Sequence, residues 1–244
     1  MVSMRGVFEE WVVLEHGPIE SLADNQWHVR GALPPPLASG RRGMTVVRDE
    51  HGGLLLHNPV ALDSAAMAEL EALGEPRTLV VPGPAHRLDA ANFKRRYPKA
   101  QLLCPTGARE HVATVVQVDG TYEDHASNGT ASLSYLPGMK PAEGVLEVRS
   151  ADGVTLVFND ILHNILERLP GVMGYLYGRF RIGVGKPTVH RGLGREWITD
   201  RAQFRAQLSR FAERGDLRRV IVAHGHPAVL TEPVPYLQAV IATL

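Results

Sequence analysis

The chain has 244 residues, 44% apolar and 21% charged, with 26 lysines and arginines against 26 aspartates and glutamates. This composition describes a globular chain long enough for a large core, and it excludes a disordered polar one. The charge balance leaves no overall field to attract nucleic acid or an acidic lipid surface, so neither is an expected partner.

The first forty residues mix short strand-like pieces such as Trp11-Val12-Val13-Leu14 with turns, and Leu33-Pro34-Pro35-Pro36-Leu37 reads as a rigid extended link. Met44–Arg48 and Leu54–His57 flank a turn-rich Asp49–Gly53, which predicts a hairpin. Asp63 caps a helix whose apolar stripe is Met67, Leu70 and Leu73 and which Gly74 stops. A strand from Thr78, a helix from Asp89 to Tyr97, a strand over Gln101–Cys104 and a short helix near Thr106–His111 follow. This strand and helix alternation predicts an α/β layered fold in a single domain over 1–244.

From Val115 to Val157 the pattern turns strand-rich, with strands over Leu133–Leu136, Val145–Val148 and Val154–Phe158. The stretch 161–196 is rich in glycine and apolar residues, among them Leu166, Leu169, Met173, Tyr175, Leu176, Tyr177 and Phe180. Short helices and loops are expected there, forming either a lid, a subunit contact in a homo-oligomer, or a locally packed excursion. Asp200 and Gln203 form a capping pair for a helix carrying Phe204, Leu208 and Phe211, and a last helix starts at Pro235.

Three strands end on chemistry. Thr78-Leu79-Val80-Val81 runs into Pro82-Gly83-Pro84-Ala85-His86, Thr155-Leu156-Val157-Phe158 into Asn159-Asp160, and Val220-Ile221-Val222-Ala223 into His224-Gly225-His226-Pro227. Histidines and a carboxylate delivered at strand ends can build one site at a sheet edge. Other motifs fail. Gly183–Thr188 lacks the first glycine of a phosphate loop and has proline where magnesium would need a hydroxyl. No dinucleotide fingerprint follows a strand, and no serine elbow is present. The single cysteine, Cys104, excludes an internal disulfide and reads as a buried hydrophobe. Lys94-Arg95-Arg96 reads as a solvated helix face, and Asn128-Gly129-Thr130 as a glycosylation acceptor without a secretory signal beside it. No apolar run approaches a membrane span, so a cytoplasmic, non-membrane protein is expected.

The order of elements and the three strand ends resemble the metallo-β-lactamase superfamily from about Gly43 to Pro227. The stretches Gly53–Leu62, Leu79–His86 and Val220–Pro227 resemble a bacterial branch of uncharacterised proteins within it. The resemblance implies a four-layer αββα sandwich, two mixed sheets face to face with helices outside. It also implies a site for one or two metal ions, built from a His-x-His-x-Asp-His loop, a Pro-Gly-His segment, a Gly-Asp pair and a final Gly-His turn.

This chain departs from that pattern. With His86 on the second histidine of the loop, Pro84 replaces the first, Leu88 the aspartate and Asp89 the last histidine. Met139 stands where the Pro-Gly-His segment has histidine. The resemblance therefore implies a depleted, degenerate site rather than a two-metal hydrolase.

Two readings follow. In the first, the fold is kept without catalysis; His86, Asp160 and His224 form a hydrogen-bonded cluster, and the cleft or the 166–185 stretch binds a small molecule or a partner. In the second, Asp89, Asp160 and His224 hold one zinc, iron or manganese ion that hydrolyses a small ester-like substrate, with His86 as base or oxyanion partner and His163, His226 or His86 as reserve ligands. Against a ligand role, Asp160 reads equally as the cap of a helix starting at Ile161, with His163 one helical turn beyond it.

Overall fold

Alternating apolar residues and tight turns open the first sheet. In the computed structural model, which describes residues 7–34, 40–127, 129–167 and 171–244, β1 (Glu20–Ala23), β2 (Gln26–Ala32), β3 (Arg41–Arg48) and β4 (Gly53–His57) pair antiparallel in order. Asp49 closes the β3–β4 turn by accepting from the backbone N–H groups of His51 and Gly53, each at 2.8 Å. The chain then crosses through α1 (Ser64–Leu73) to β5 (Glu75–Val80), through α2 (Ala90–Arg96) to β6 (Gln101–Cys104), and through α3 (Arg109–Ala113) to β7 (Gly120–Thr121). Each crossover returns the chain in the same direction, so β4 to β7 run parallel. Asp63 caps α1 through its side chain at 2.9 Å from Ala66 N, as its position before the apolar stripe predicts.

The second sheet takes β8 (Ala131–Ser134), β9 (Val145–Ser150) and β10 (Gly153–Phe158) in antiparallel order. After it come β11 (Leu162–His163), α4 (Gly171–Tyr177), β12 (Thr188–Val189), α5 (Arg191–Trp197) and α6 (Arg201–Ala212). Then β13 (Leu217–Val222) joins β10 in parallel, β14 (Val229–Leu230) closes the edge, and α7 (Pro233–Ile241) ends the chain. α6 starts on Asp200, which accepts from Ala202 N and Gln203 N, while α7 starts two residues before the expected Pro235.

Three apolar clusters stack in order. Leu56, Leu70, Leu79, Phe93 and Leu102 lie between the first sheet and α1–α3. Val47, Leu55, Val80, Leu146, Val157 and Ile221 lie between the sheets, and Phe158, Phe204, Val222 and Leu237 lie under α5–α7. The layering is helix, sheet, sheet, helix, the expected four-layer α/β sandwich.

Some local expectations change. Trp11–Leu14 is not a strand; Trp11 instead packs on Phe93 and donates its indole N–H to the Leu62 carbonyl at 3.0 Å. No helix follows Asp160, because Leu162 and His163 pair with Val189 and Thr188 as a two-stranded ribbon. Pro35 to Leu37, Asn128 and Leu169 lie outside the described residues.

Candidate functional site

Two parallel pairs, β4 with β5 and β10 with β13, release the chain at one end of the sandwich, and each release carries a polar residue. Asn58 follows β4, His86 ends the loop after β5, Asp160 follows β10, and His224 follows β13. His86 Nε2 lies 2.9 Å and His224 Nε2 3.1 Å from the same oxygen, Oδ1 of Asp160. The two imidazole rings are 5.3 Å apart at 45°. One ligand atom from each of the three side chains lies within 4.8 Å of the others, and this is the one such cluster of metal-ligating groups among the described residues. Side-chain exposures of 8%, 13% and 23% for His86, Asp160 and His224 leave solvent a path to it.

The other nitrogen of each ring is committed. Asn58 donates through Nδ2 to the Gly43 carbonyl at 2.7 Å, which leaves its Oδ1 turned to His86 Nδ1 at 3.0 Å. His224 Nδ1 faces the Arg41 carbonyl at 2.8 Å. Both partners are acceptors, so both Nδ1 atoms carry a proton, and both Nε2 atoms turn to Asp160, donating to it when the rings are protonated and offering a lone pair to an ion when they are neutral. Asn58 holds a left-handed backbone at φ 58°, a conformation asparagine tolerates better than most residues.

Beneath Asp160 lies a carboxylate that the sequence does not flag. Glu143 is fully buried and accepts from the backbone N–H groups of Asn159, Asp160 and Ile161 at 2.8–3.2 Å. It thereby pins the turn that carries Asp160. Burial, then the charge of Asp160, push the Glu143 carboxyl up to about 8. For Asp160 burial acts upward as well, but the charges and hydrogen bonds of His86 and His224 outweigh it and hold the carboxyl well below the usual range. His224 is raised: burial works against protonation, and the bond to Asp160 overcomes it. Two carboxyl groups thus lie close with opposite tendencies, Asp160 held down and Glu143 pushed up.

The remaining candidates lie elsewhere. Asp89 is buried and outside the cluster; its Oδ2 takes Arg42 Nη1 at 2.6 Å and Ala61 N at 3.3 Å, while Oδ1 has no hydrogen-bond partner. β3 explains this, since Arg42 points to the helix side of the sheet and meets the start of α2 there. His163 turns Nε2 to the Ile182 carbonyl at 3.0 Å, and burial depresses it to about 4. His226 is exposed and accepts from Arg30 through Nδ1 at 2.7 Å. Met139 is buried in the core under the second sheet. Behind His86, His57 is pushed down to about 3 by burial and then by the charges of His86 and His28, so it is a neutral neighbour. Cys104 is buried, which raises its thiol to about 11 and removes it as a nucleophile. In the 166–185 stretch α4 leaves Val172, Tyr175 and Leu176 exposed, with Leu166 before it and Phe180 after.

The donor set fits a single ion. Two imidazole nitrogens and a carboxylate oxygen are a familiar set for zinc and for non-haem iron, and the second partners of both rings are the kind that orient such ligands. It does not choose among zinc, iron and manganese. No second cluster among the described residues would hold another ion.

No family profile and no curated protein matches the sequence. Solved structures do match. The DIM-1 metallo-β-lactamase exposed to ceftazidime superposes with a TM-score of 0.62 at 12% identity, covering 95% of this chain and 97% of that one. The metallo-β-lactamase IND-7 gives 0.60 at 7% identity over 95% and 100%. A metallo-β-lactamase from Pontibacter korlensis gives 0.58 at 9% identity over 93% and 99%. Likeness over nearly the whole length of each protein, on the same layered sheets, shows that the chain has the metallo-β-lactamase fold.

Proposed function

We propose that the protein is a mononuclear metal-dependent hydrolase of a small ester-like substrate, with His86, Asp160 and His224 as its metal ligands. The observation that carries this reading is the pair of committed Nδ1 atoms, which turns both Nε2 atoms toward the same carboxylate oxygen. Relative to the sequence reading, His86 moves from base and reserve ligand into the ligand set, and Asp89 leaves it.

When bound, such an ion supplies Lewis acidity and makes water acidic enough to act as a nucleophile near neutral pH. The chain's own residues supply the rest. Asn58 and the Arg41 carbonyl hold the rings, Glu143 holds the Asp160 turn, and the ionised Asp160 keeps a negative charge at the centre. A site with three protein ligands leaves positions open for water and substrate.

A second reading has its own observation. At 2.9 and 3.1 Å the histidines and Asp160 also form a closed hydrogen-bonded cluster when the rings are protonated, which suits a non-catalytic scaffold that binds a small molecule. Hydrolysis separates the two. Zinc-, iron- and manganese-loaded protein is assayed on 4-nitrophenyl acetate and bis(4-nitrophenyl) phosphate, beside Asp160→Asn. Turnover that tracks metal content and vanishes in the variant supports the hydrolase. Metal-loaded protein with no turnover on either ester favours the scaffold.

A further inference from the structure

Arg30 stands beside the cluster with no carboxylate in ion-pair contact among the described residues. On β2, Gln26, His28 and Arg30 share the face turned to the second sheet, where Gln26 accepts from Thr155 at 2.8 Å. The Arg30 guanidinium reaches across to the turn after β13. Nη1 donates to His226 Nδ1 at 2.7 Å, and Nη2 to the Gly225 carbonyl at 3.0 Å. Gly225 directly follows His224, so this guanidinium lies one residue from a ligand candidate. Both acceptors are neutral, and no acidic side chain pairs with Arg30 among the described residues.

A second guanidinium is near. Arg41, on the same face of the adjacent strand, pairs with Glu15 at 3.1 Å, but the Glu15 side chain is 77% exposed. Burial and then the charge of Arg41 lower the pKa of Arg30, with Glu20 opposing them. Holding two guanidinium groups together at a half-buried rim is unfavourable unless an anion joins them. His226 holds the guanidinium in place: its Nδ1 accepts from Arg30, and the far nitrogen of the ring, Nε2, points away from it.

We propose that Arg30, positioned by His226 and the Gly225 carbonyl, forms an oxyanion-recognition site at the rim of the His86–Asp160–His224 cluster, and that the substrate is an ester carrying a carboxylate or phosphate group. That the anion belongs to a substrate rests on the hydrolase reading; recognition of the anion does not. One N–H of Nη1 and one of Nη2 are given to His226 and Gly225, and the remaining N–H groups of the guanidinium are left for the oxygens of either group.

Calorimetric titration tests this on the protein as purified and again after chelation, with metal content measured on the same samples. The probes are succinate, inorganic phosphate and the neutral dimethyl succinate. The expected result is saturable binding of succinate, phosphate or both, with and without metal, and no binding of the neutral diester. Arg30→Gln weakens that binding about 10- to 100-fold, the loss of one or two charge-assisted hydrogen bonds. Succinate alone points to carboxylate esters, phosphate alone to phosphoesters, and both to shared oxyanion chemistry. Arg30→Lys keeps the charge without the fork and binds about tenfold more weakly; it decides the matter if Arg30→Gln does not fold. No saturable anion binding by the wild type, or equal affinity in the variants, overturns the proposal. Anion binding in a protein that never holds metal leaves the rim site standing and removes the hydrolase reading.

Discussion

Asn58 Oδ1 accepts from His86 Nδ1 at 3.0 Å, and that single bond decides which nitrogen of His86 faces the cluster. The amide cannot turn over without giving up its other bond, to the Gly43 carbonyl. Asn58→Gly removes the acceptor while suiting the left-handed backbone. Metal affinity is expected to fall about 10- to 100-fold, as for loss of a ligand-orienting partner, in a competitive chelator titration. Asn58→Ala adds a folding cost of about 1–2 kcal/mol from its positive φ. Unchanged affinity in the glycine variant would show that Asn58 does not orient a ligand.

Glu143 accepts three backbone N–H groups with two oxygens, and glutamine cannot replace it there. Its amide would set an N–H against one of those donors, at about 1–3 kcal/mol for each donor left unsatisfied. Glu143→Gln is therefore expected to lower the thermal midpoint and, by loosening the Asp160 turn, to weaken metal binding. A variant with a lowered midpoint but wild-type metal affinity would limit Glu143 to holding the fold.

Asp89 and Arg42 are both buried and neutralise each other. Asp89→Asn leaves the Arg42 charge without its counterpart, and a loss of about 3–5 kcal/mol in denaturant unfolding is expected. Metal content should stay that of the wild type. Loss of the ion in this variant at retained fold would return Asp89 to the ligand set.

The metal-free protein should weaken as pH rises through neutrality. His224 is raised above its usual 6.5 in the fold, so its contribution is full below pH 6.5 and disappears as pH passes the raised value. Glu143 acts in the same direction, because the folded carboxyl keeps its proton up to about 8 rather than 4.5. Asp160 works at the acid end, where stability is lost as pH falls below the usual 3.8 toward its lowered value. Metal requires unprotonated rings, so loading becomes more favourable over the same rise. Thermal midpoints at pH 6.5 and above pH 8 should show the gap between loaded and metal-free protein widening. A constant gap, or one that His224→Gln leaves intact, would contradict this.

The ligand candidates were legible because each follows an apolar strand, and parallel strands of one layered fold release their ends together. Asn58 also follows an apolar strand, but asparagine carries no ligand chemistry to mark it in the sequence. Glu143 had no local signature. Its three donors lie 16 to 18 residues away and converge only when β9 and β10 pair. Asp89 entered the ligand set through its place in the loop that the resemblance implies, while its partner Arg42 sits on β3, four elements before α2. Asp160 looked like a helix cap because the pairing of Leu162–His163 with Thr188–Val189 spans 25 or more residues, beyond any local pattern. The pairing of Arg30 with His226 is separated by 196 positions and is likewise a product of the tertiary fold.

The central claim is a single metal site on His86, Asp160 and His224, and elemental analysis tests it most directly. The protein is purified without an affinity metal column and measured by mass spectrometry beside Asp160→Asn, His224→Ala and Asp89→Asn. The account predicts a single zinc, iron or manganese ion per chain in the wild type and in Asp89→Asn, and none in the other two. A wild-type chain that stays empty after reconstitution with each ion, or that keeps its ion in His224→Ala, would contradict it.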